Sequence, residues 1–282
     1  MKRILLTGAS GFVGSYFFKN YKKTYHIKKF SFLNDNFNDL ELNSIETIVH
    51  CSALVHQMKE AKKEHYYDIN VNQTIELAKK AKDSGVKHFI FLSTVKVYGE
   101  ECKFPYFEDS PTNPKDHYSA SKLEAEMLLS KLETDNFKTS VVRSPLIYGN
   151  GVKANFFNLI SLVKKTPILP FKDTKNKRSI VFVGNICFVL HKIISLEKQG
   201  VFIAKDNESL STSELILMIG ESLNKKIFLI KIPFFEKLLK NFLPSFYDRL
   251  YGSLFFNNEA SMRQLHIEKN KFSTYDGLKE IN

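Results

Sequence analysis

Short apolar runs alternate with longer amphipathic segments through the first 150 residues. Lys2 to Thr7 reads as a buried strand, Gly8 to Gly14 as a turn, and Phe12 to Tyr21 as a helix with aromatic residues on its inner face. His26 to Phe32 is a second strand candidate, weakened by Lys28 and Lys29, and Thr47 to His50 is a third. A long helix through Tyr66 to Ser84 stops at Gly85, where a left-handed residue ends helices cheaply. His88 to Ser93 then predicts a strand, His117 to Leu132 a helix, and Thr139 to Arg143 a further strand. This alternation predicts an α/β fold with a doubly wound parallel sheet covered on both faces.

From Gly149 the pattern loosens. A helix near Phe156 to Lys165 is followed by Pro167 and Pro170, then by an apolar strand over Ser179 to Val183. Helices over Ser211 to Leu223 and Phe234 to Phe242 flank a short strand near Ile227 to Ile232. These elements predict a smaller C-terminal α/β lobe closing over the carboxyl edge of the sheet, where ligands bind in doubly wound folds. The longest apolar stretch, Ile180 to Leu196, holds Asn185, His191 and Lys192, so a core strand plus helix is expected there and no membrane span. The apolar run after Met1 is too brief for a secretory signal and reads as the first strand.

The 282 residues are 43% hydrophobic and 25% charged, which suits a globular chain with a real core and excludes disordered or collagen-like classes. Cys51, Cys102 and Cys187 are scattered without metal-ligand spacing, and the eight histidines form no paired-ligand pattern; buried thiols in a reducing, cytoplasmic setting and no metal site are expected. The net charge of +11 is nearly all lysine, with only five arginines and no nucleic-acid motif, so a solvated lysine surface is expected and no nucleic-acid partner. The basic, aromatic stretch from Lys231 to Phe256 is open to two readings, a membrane contact and a core or dimer face, and the core or dimer face is placed first because its prolines interrupt any long amphipathic helix.

Three local features carry chemistry. Gly8, Gly11 and Gly14 form a G-x-x-G-x-x-G turn between the first strand and helix, and with Ser10, Phe12 and Val13 they predict a cradle for a dinucleotide pyrophosphate at the helix N-terminus. Residues 1–149 are accordingly read as a dinucleotide-binding domain, completed by a strand and helix within 179–204, and 150–178 with 205–282 as the substrate lobe. Tyr118 and Lys122 stand four apart and share a helix face, so an ammonium is expected to favour the phenolate for proton exchange with a hydroxyl. Thr94, at a strand end, supplies a third hydroxyl beside them, while His117 reads as a helix-start residue and Arg143 as structural.

With TGASGFVGS at 7–15, HCSALVH at 50–56, LSTVKVYGE at 92–100 and YSASK at 118–122, the chain resembles the extended short-chain dehydrogenase/reductases of the NAD-dependent epimerase/dehydratase type that act on nucleotide sugars. The resemblance continues in SPLIYGNGVKANFF from Ser144 and KRSIVFVGN from Lys177. It implies a Rossmann-type sheet and a catalytic trio of Thr94, Tyr118 and Lys122, the last two also touching cofactor. Asp39 and Leu40 are implied at the adenine, Ser52 and Ala53 along the cofactor with Asn70 behind them, and Lys96, Asn155, Arg178 and Arg249 toward the substrate. Ser31 stands where many relatives carry an Asp that holds the NAD ribose, and Lys28 and Lys29 precede it; either NAD or NADP is open, with NADPH placed ahead. The activity implied is hydride transfer at C4 of a nucleotide-linked hexose, UDP-linked in the first instance. Net reduction of a 4-keto sugar is placed first, 4-epimerisation second, and a catalytically silent dinucleotide-binding scaffold third, with a homodimer as the partner to test.

Overall fold

Ile4 and Leu6 point to one face of the first strand and Leu5 to the other, and all three are fully buried, so the period-two alternation of this strand serves two cores at once. The computed structural model describes residues 1–55, 61–152 and 155–281, the last segment without the side chain of Asn155. In chain order the first half contains β1 (Arg3–Thr7), α1 (Phe12–Tyr21), β2 (His26–Phe30), β3 (Thr47–His50), α2 (Lys63–Tyr67), α3 (Gln73–Asp83), β4 (His88–Thr94), α4 (His117–Ser130) and β5 (Lys138–Ser144). The second half contains β6 (Leu146–Tyr148), α5 (Asn155–Lys165), β7 (Ile168–Leu169), β8 (Arg178–Phe182), α6 (Val183–Leu196), β9 (Gly200–Ile203), β10 (Ser209–Leu210), α7 (Thr212–Ser222), β11 (Phe228–Leu229), α8 (Phe235–Phe242), α9 (Pro244–Tyr251), α10 (Glu259–Gln264) and α11 (Thr274–Lys279).

The main sheet has six strands in the order β2-β1-β3-β4-β5-β9, all parallel. One core packs Leu5, Ile48, Phe89 and Phe91 against Leu77 of α3 and Ala125 and Leu129 of α4. The other packs Ile4, Leu6, Val49, Ile90 and Val142 against Val13 and Phe17 of α1 and Ile186, Leu190 and Ile193 of α6. Each large apolar side chain so buried contributes about 1.5–3 kcal/mol. The chain leaves β1 toward β2 and then crosses back to β3 on the other side of β1, so the switch in winding direction lies at the carboxyl ends of β1 and β3. A smaller sheet, β10-β8-β6, and a β7-β11 pair lie outside the main sheet.

Three elements depart from the sequence expectation. β2 ends at Phe30, because the Ser31 N–H donates to the Asp35 carboxylate at 2.8 Å and the chain turns away. The helix expected over 66–84 is divided: α2 passes through a π-helical turn, Asp68–Asn72, before α3 begins. Such turns recur at functional sites because they rotate the side chains that follow. Finally, the stretch over 231–256 does not form core as a whole. Phe234, Leu238, Phe242, Leu243 and Phe246 are exposed. Among the described residues, no helix is long and apolar enough to cross a membrane.

Candidate active site

Gly8 adopts φ +66°, and a Cβ there would lie 2.7 Å from the Cys51 carbonyl carbon and the Ser52 nitrogen, so only glycine lets β1 and β3 close together at the switch point. A Cβ on Gly14 would fall 2.2 Å from the Gly8 oxygen. Gly11 differs: its one close neighbour is the Gly8 oxygen, 3.1 Å from the Cβ position, and its own N–H donates to that oxygen at 2.9 Å. Gly11 caps α1 without a side-chain hydrogen bond, and no acid stands in the first turn. The positive end of α1 is therefore left to an outside anion, an arrangement that fits a dinucleotide pyrophosphate. Val13 itself is buried in the core, so only its backbone serves this turn, while Ser10 is exposed and Phe12 half-buried.

Behind the turn, the loop after β3 is held on two sides. His50 is buried and bridges Thr7 (Nδ1 to Oγ1, 2.8 Å) and Thr74 of α3 (Nε2 to Oγ1, 3.0 Å); burial and the nearby Lys122 ammonium hold its pKa down at about 3, so it stays neutral. The Thr7 hydroxyl also accepts from the Ser52 N–H at 3.3 Å. Asn70, fully buried in the π-helical turn, accepts from the Leu54 N–H at 2.8 Å, donates to the Leu54 carbonyl at 3.0 Å and donates to Ser121 Oγ at 3.0 Å. Ser52 and Ala53 are thus presented, half-buried, on a loop with a fixed course.

The three candidate catalytic residues converge from two elements. Thr94 ends β4, and its hydroxyl accepts from the Lys96 N–H at 3.2 Å while hydrogen bonding to the Tyr118 phenol. Tyr118 and Lys122 come from the first turns of α4, which Asp116 caps through a capping box with Ser119. Burial, with Asp116 adding to it, pushes the Tyr118 phenol above its ordinary range, and the Thr94 bond pulls the other way. Lys122 is 1% exposed, its Nζ lies 3.8 Å from the centre of the Phe91 ring, and burial lowers its pKa to about 7. The ammonium expected to bring the tyrosine down is itself close to losing its charge, and it is not among the groups that lower Tyr118.

The frame under these residues is a buried ion pair. Arg143 on β5 donates from Nη2 to Glu126 Oε2 of α4 at 2.6 Å and from Nη1 to the Tyr98 hydroxyl at 2.6 Å, and Ser93 donates to Glu126. Arg143 is structural, as its strand position suggested.

Residues 4–203 match the NAD dependent epimerase/dehydratase family. The chain belongs to that family. A UDP-glucose 4-epimerase of Vibrio cholerae is 35% identical over 285 residues, spanning 90% of this chain and 86% of its own length. An N-acetyl-alpha-D-glucosaminyl-diphospho-ditrans,octacis-undecaprenol 4-epimerase of Escherichia coli O157:H7 is 29% identical, spanning 82% of this chain and 75% of its own. The solved structure of UDP-glucuronic acid 4-epimerase from Bacillus cereus in complex with NAD has the same fold, with a TM-score of 0.78 at 20% identity over 99% of this chain and 97% of that one. As a member of the epimerase/dehydratase family, the chain is an enzyme of the extended short-chain dehydrogenase type that works with NAD(P).

Other residues expected at the site of this epimerase/dehydratase fall into distinct settings. Leu40 is core, and Asp39 is exposed and accepts from Asn36 Nδ2 at 2.9 Å. Ser31 is half-buried, but the lysines before it do not gather beside it: Lys28 donates to the Glu41 carbonyl at 2.8 Å, and Lys29 lies over the Phe18 ring at 4.4 Å. The group the fold brings to Ser31 is the Asp35 carboxylate, which sequence reading missed because it reaches back from four residues downstream. Lys96 pairs with Asp116 at 2.7 Å and Glu100 at 3.2 Å. Although burial opposes it, those bonds from Lys96 and Ser119 hold the Asp116 carboxyl below its usual range. Arg178 donates to the carbonyls of Gly252 (3.0 Å) and Asp248 (2.7 Å) at the end of α9; burial lowers its pKa, with a smaller contribution from Arg249, which is exposed. His56 and the side chain of Asn155 lie outside the described residues.

Proposed function

We propose that this chain inverts C4 of a hexose carried on a diphosphate, with NAD as its cofactor. The observation that carries this reading is the meeting of Thr94 and Tyr118 at the carboxyl end of β4, on the edge of the sheet that also bears the Gly8–Gly14 turn. A hydroxyl-bearing carbon held there has a proton acceptor on one side and a hydrogen-bonding hydroxyl for its oxygen on the other.

NAD(P), when bound, supplies reversible hydride transfer. The chain's own residues do the rest. Gly8, Gly11, Gly14 and the first amides of α1 hold the pyrophosphate, and Ser52 and Ala53 line the dinucleotide on the loop clamped by Asn70. Tyr118, as the phenolate that a charged Lys122 favours, takes the proton from the C4 hydroxyl as the carbonyl forms and, now a phenol, returns it as the carbonyl is reduced. Thr94 holds that oxygen against Tyr118. Lys122 supplies positive charge near the phenol once its own pKa recovers, and Arg178 with Arg249 gives the diphosphate its cationic partners.

Epimerisation is preferred to net reduction on two grounds. The Vibrio relative, which covers most of this chain, is a 4-epimerase. The reductase alternative drew on Ser31 with Lys28 and Lys29 as a setting for a 2′-phosphate, and those lysines are engaged elsewhere, whereas a carboxylate stands at Ser31 and favours a free ribose 2′-hydroxyl. The test is to incubate the protein with UDP-hexoses and with a polyprenyl-diphosphate-linked N-acetylhexosamine and to follow C4 by NMR. Inversion without net NAD(P)H consumption supports the proposal; a 4-keto sugar reduced with stoichiometric NADPH consumption overturns it in favour of the reductase.

A further inference from the structure

The exposed apolar side chains of α8 and α9 are organised. Leu238 and Phe242 stand four apart on one face of α8, at 56% and 75% exposure, Phe234 at the N-cap adds a third apolar side chain at 83%, and Leu243 and Phe246 extend the patch into the start of α9. Leu239, one position from Leu238, is buried and seats the helix on the protein, so the exposed stripe is the face left over after packing. Such large aromatics left in water mark a contact surface.

The charge around the stripe selects what covers it. Between Lys225 and Tyr251 the chain carries six lysines and arginines against two acids. Beside the stripe, a cleft of about 450 Å³ is lined by Lys172, Lys175 and Lys231 together with Phe234 and Tyr251. A second copy of this chain docked by twofold symmetry would bring the same cationic surface against itself, which opposes association. An anionic lipid surface satisfies both features, with acyl chains for Phe and Leu and phosphate headgroups for the lysines.

We propose that the α8–α9 hairpin is a docking element for an anionic membrane surface, the Phe234, Leu238 and Phe242 face inserting among headgroups and the lysines contacting lipid phosphates. The short helices lie in the interface plane; neither spans. Because Arg178 holds the carbonyls at the far end of α9, docking the hairpin brings the candidate diphosphate-binding arginine to the level of the headgroups. The docking is read by partition and not by turnover, so it stands or falls separately from the proposed reaction.

The experiment is co-sedimentation of the full chain with vesicles of phosphatidylglycerol and phosphatidylcholine, set against vesicles of phosphatidylcholine alone. The expected result is sedimentation with the anionic vesicles, weakened by salt, and loss of about tenfold or more for Leu238→Glu/Phe242→Glu. Lys237→Glu/Lys240→Glu, at exposed positions, is expected to lose anionic selectivity even if the apolar pair disturbs the fold. Wild type that stays in the supernatant, equal binding to both vesicles, or variants that sediment like wild type would each overturn the proposal. So would a dimer seen by light scattering that Leu238→Glu/Phe242→Glu dissociates in a protein that ignores vesicles.

Discussion

The Asn70 side-chain amide donates to Ser121 Oγ at 3.0 Å, and through that bond the loop along the candidate cofactor site is tied to the helix bearing Tyr118 and Lys122. Asn70 can reach it because the π-helical turn Asp68–Asn72 widens the helix there, and the same side chain makes two further bonds to Leu54. The loop after β3 and the helix bearing Tyr118 and Lys122 are thereby held as one unit.

Replacement of Tyr118 by Phe keeps the ring and removes the transferable proton. Turnover is expected to fall by roughly 10² to 10⁴, with cofactor affinity nearly unchanged. Steady-state kinetics beside a cofactor titration checks both halves, and near-normal activity would remove Tyr118 from the mechanism.

Lys122 sets a pH dependence. Its pKa is lowered by burial to about 7 from an ordinary 10.5, so the unfolded chain binds the proton more tightly and the protein without cofactor gains stability as pH rises from about 7 to 10.5. An anionic dinucleotide raises the pKa of a nearby ammonium, so cofactor binding in that window is expected to take up a proton. Calorimetry at pH 8 to 9 in buffers of different ionisation enthalpy measures the uptake. Lys122→Met should abolish it; uptake that persists in Lys122→Met assigns the proton elsewhere.

The glycines of the turn are expected to separate by phenotype. Gly14→Ala places a Cβ 2.2 Å from a backbone oxygen and should lower the melting temperature sharply. Gly11→Ala meets one carbonyl at 3.1 Å, so it should fold and chiefly lose dinucleotide affinity. Thermal melts and binding isotherms on both variants decide it, and a Gly11→Ala protein with full affinity removes this turn from the pyrophosphate site.

Asp35 is expected to govern the choice of cofactor. Wild type should bind NADH better than NADPH, reversing the order expected from Ser31, Lys28 and Lys29. Asp35→Asn should move the affinity ratio toward NADPH by about tenfold, which is about 1.4 kcal/mol. Parallel titrations with the two reduced cofactors test this, and an unmoved ratio places the determinant elsewhere.

The features legible along the chain are those that short-range physics controls. Strand and helix periodicities placed β1, α1, β3 and α4 within a few residues, the glycine spacing located the turn, and four-residue spacing put Tyr118 and Lys122 on one face. Tertiary structure alone decided how distant groups meet. It brought Thr94 to Tyr118, placed the Lys122 ammonium over Phe91, drew Lys28 and Lys29 away from Ser31, and let Arg143 and Glu126 neutralise one another in the core. It also decided the stretch over 231–256, because an apolar stripe at helical spacing reads identically whether a neighbouring element covers it or water does. The reason is common to all of these: a pKa, an ion pair and the burial of a face depend on desolvation and on partners far along the chain, and local periodicity carries no information about either.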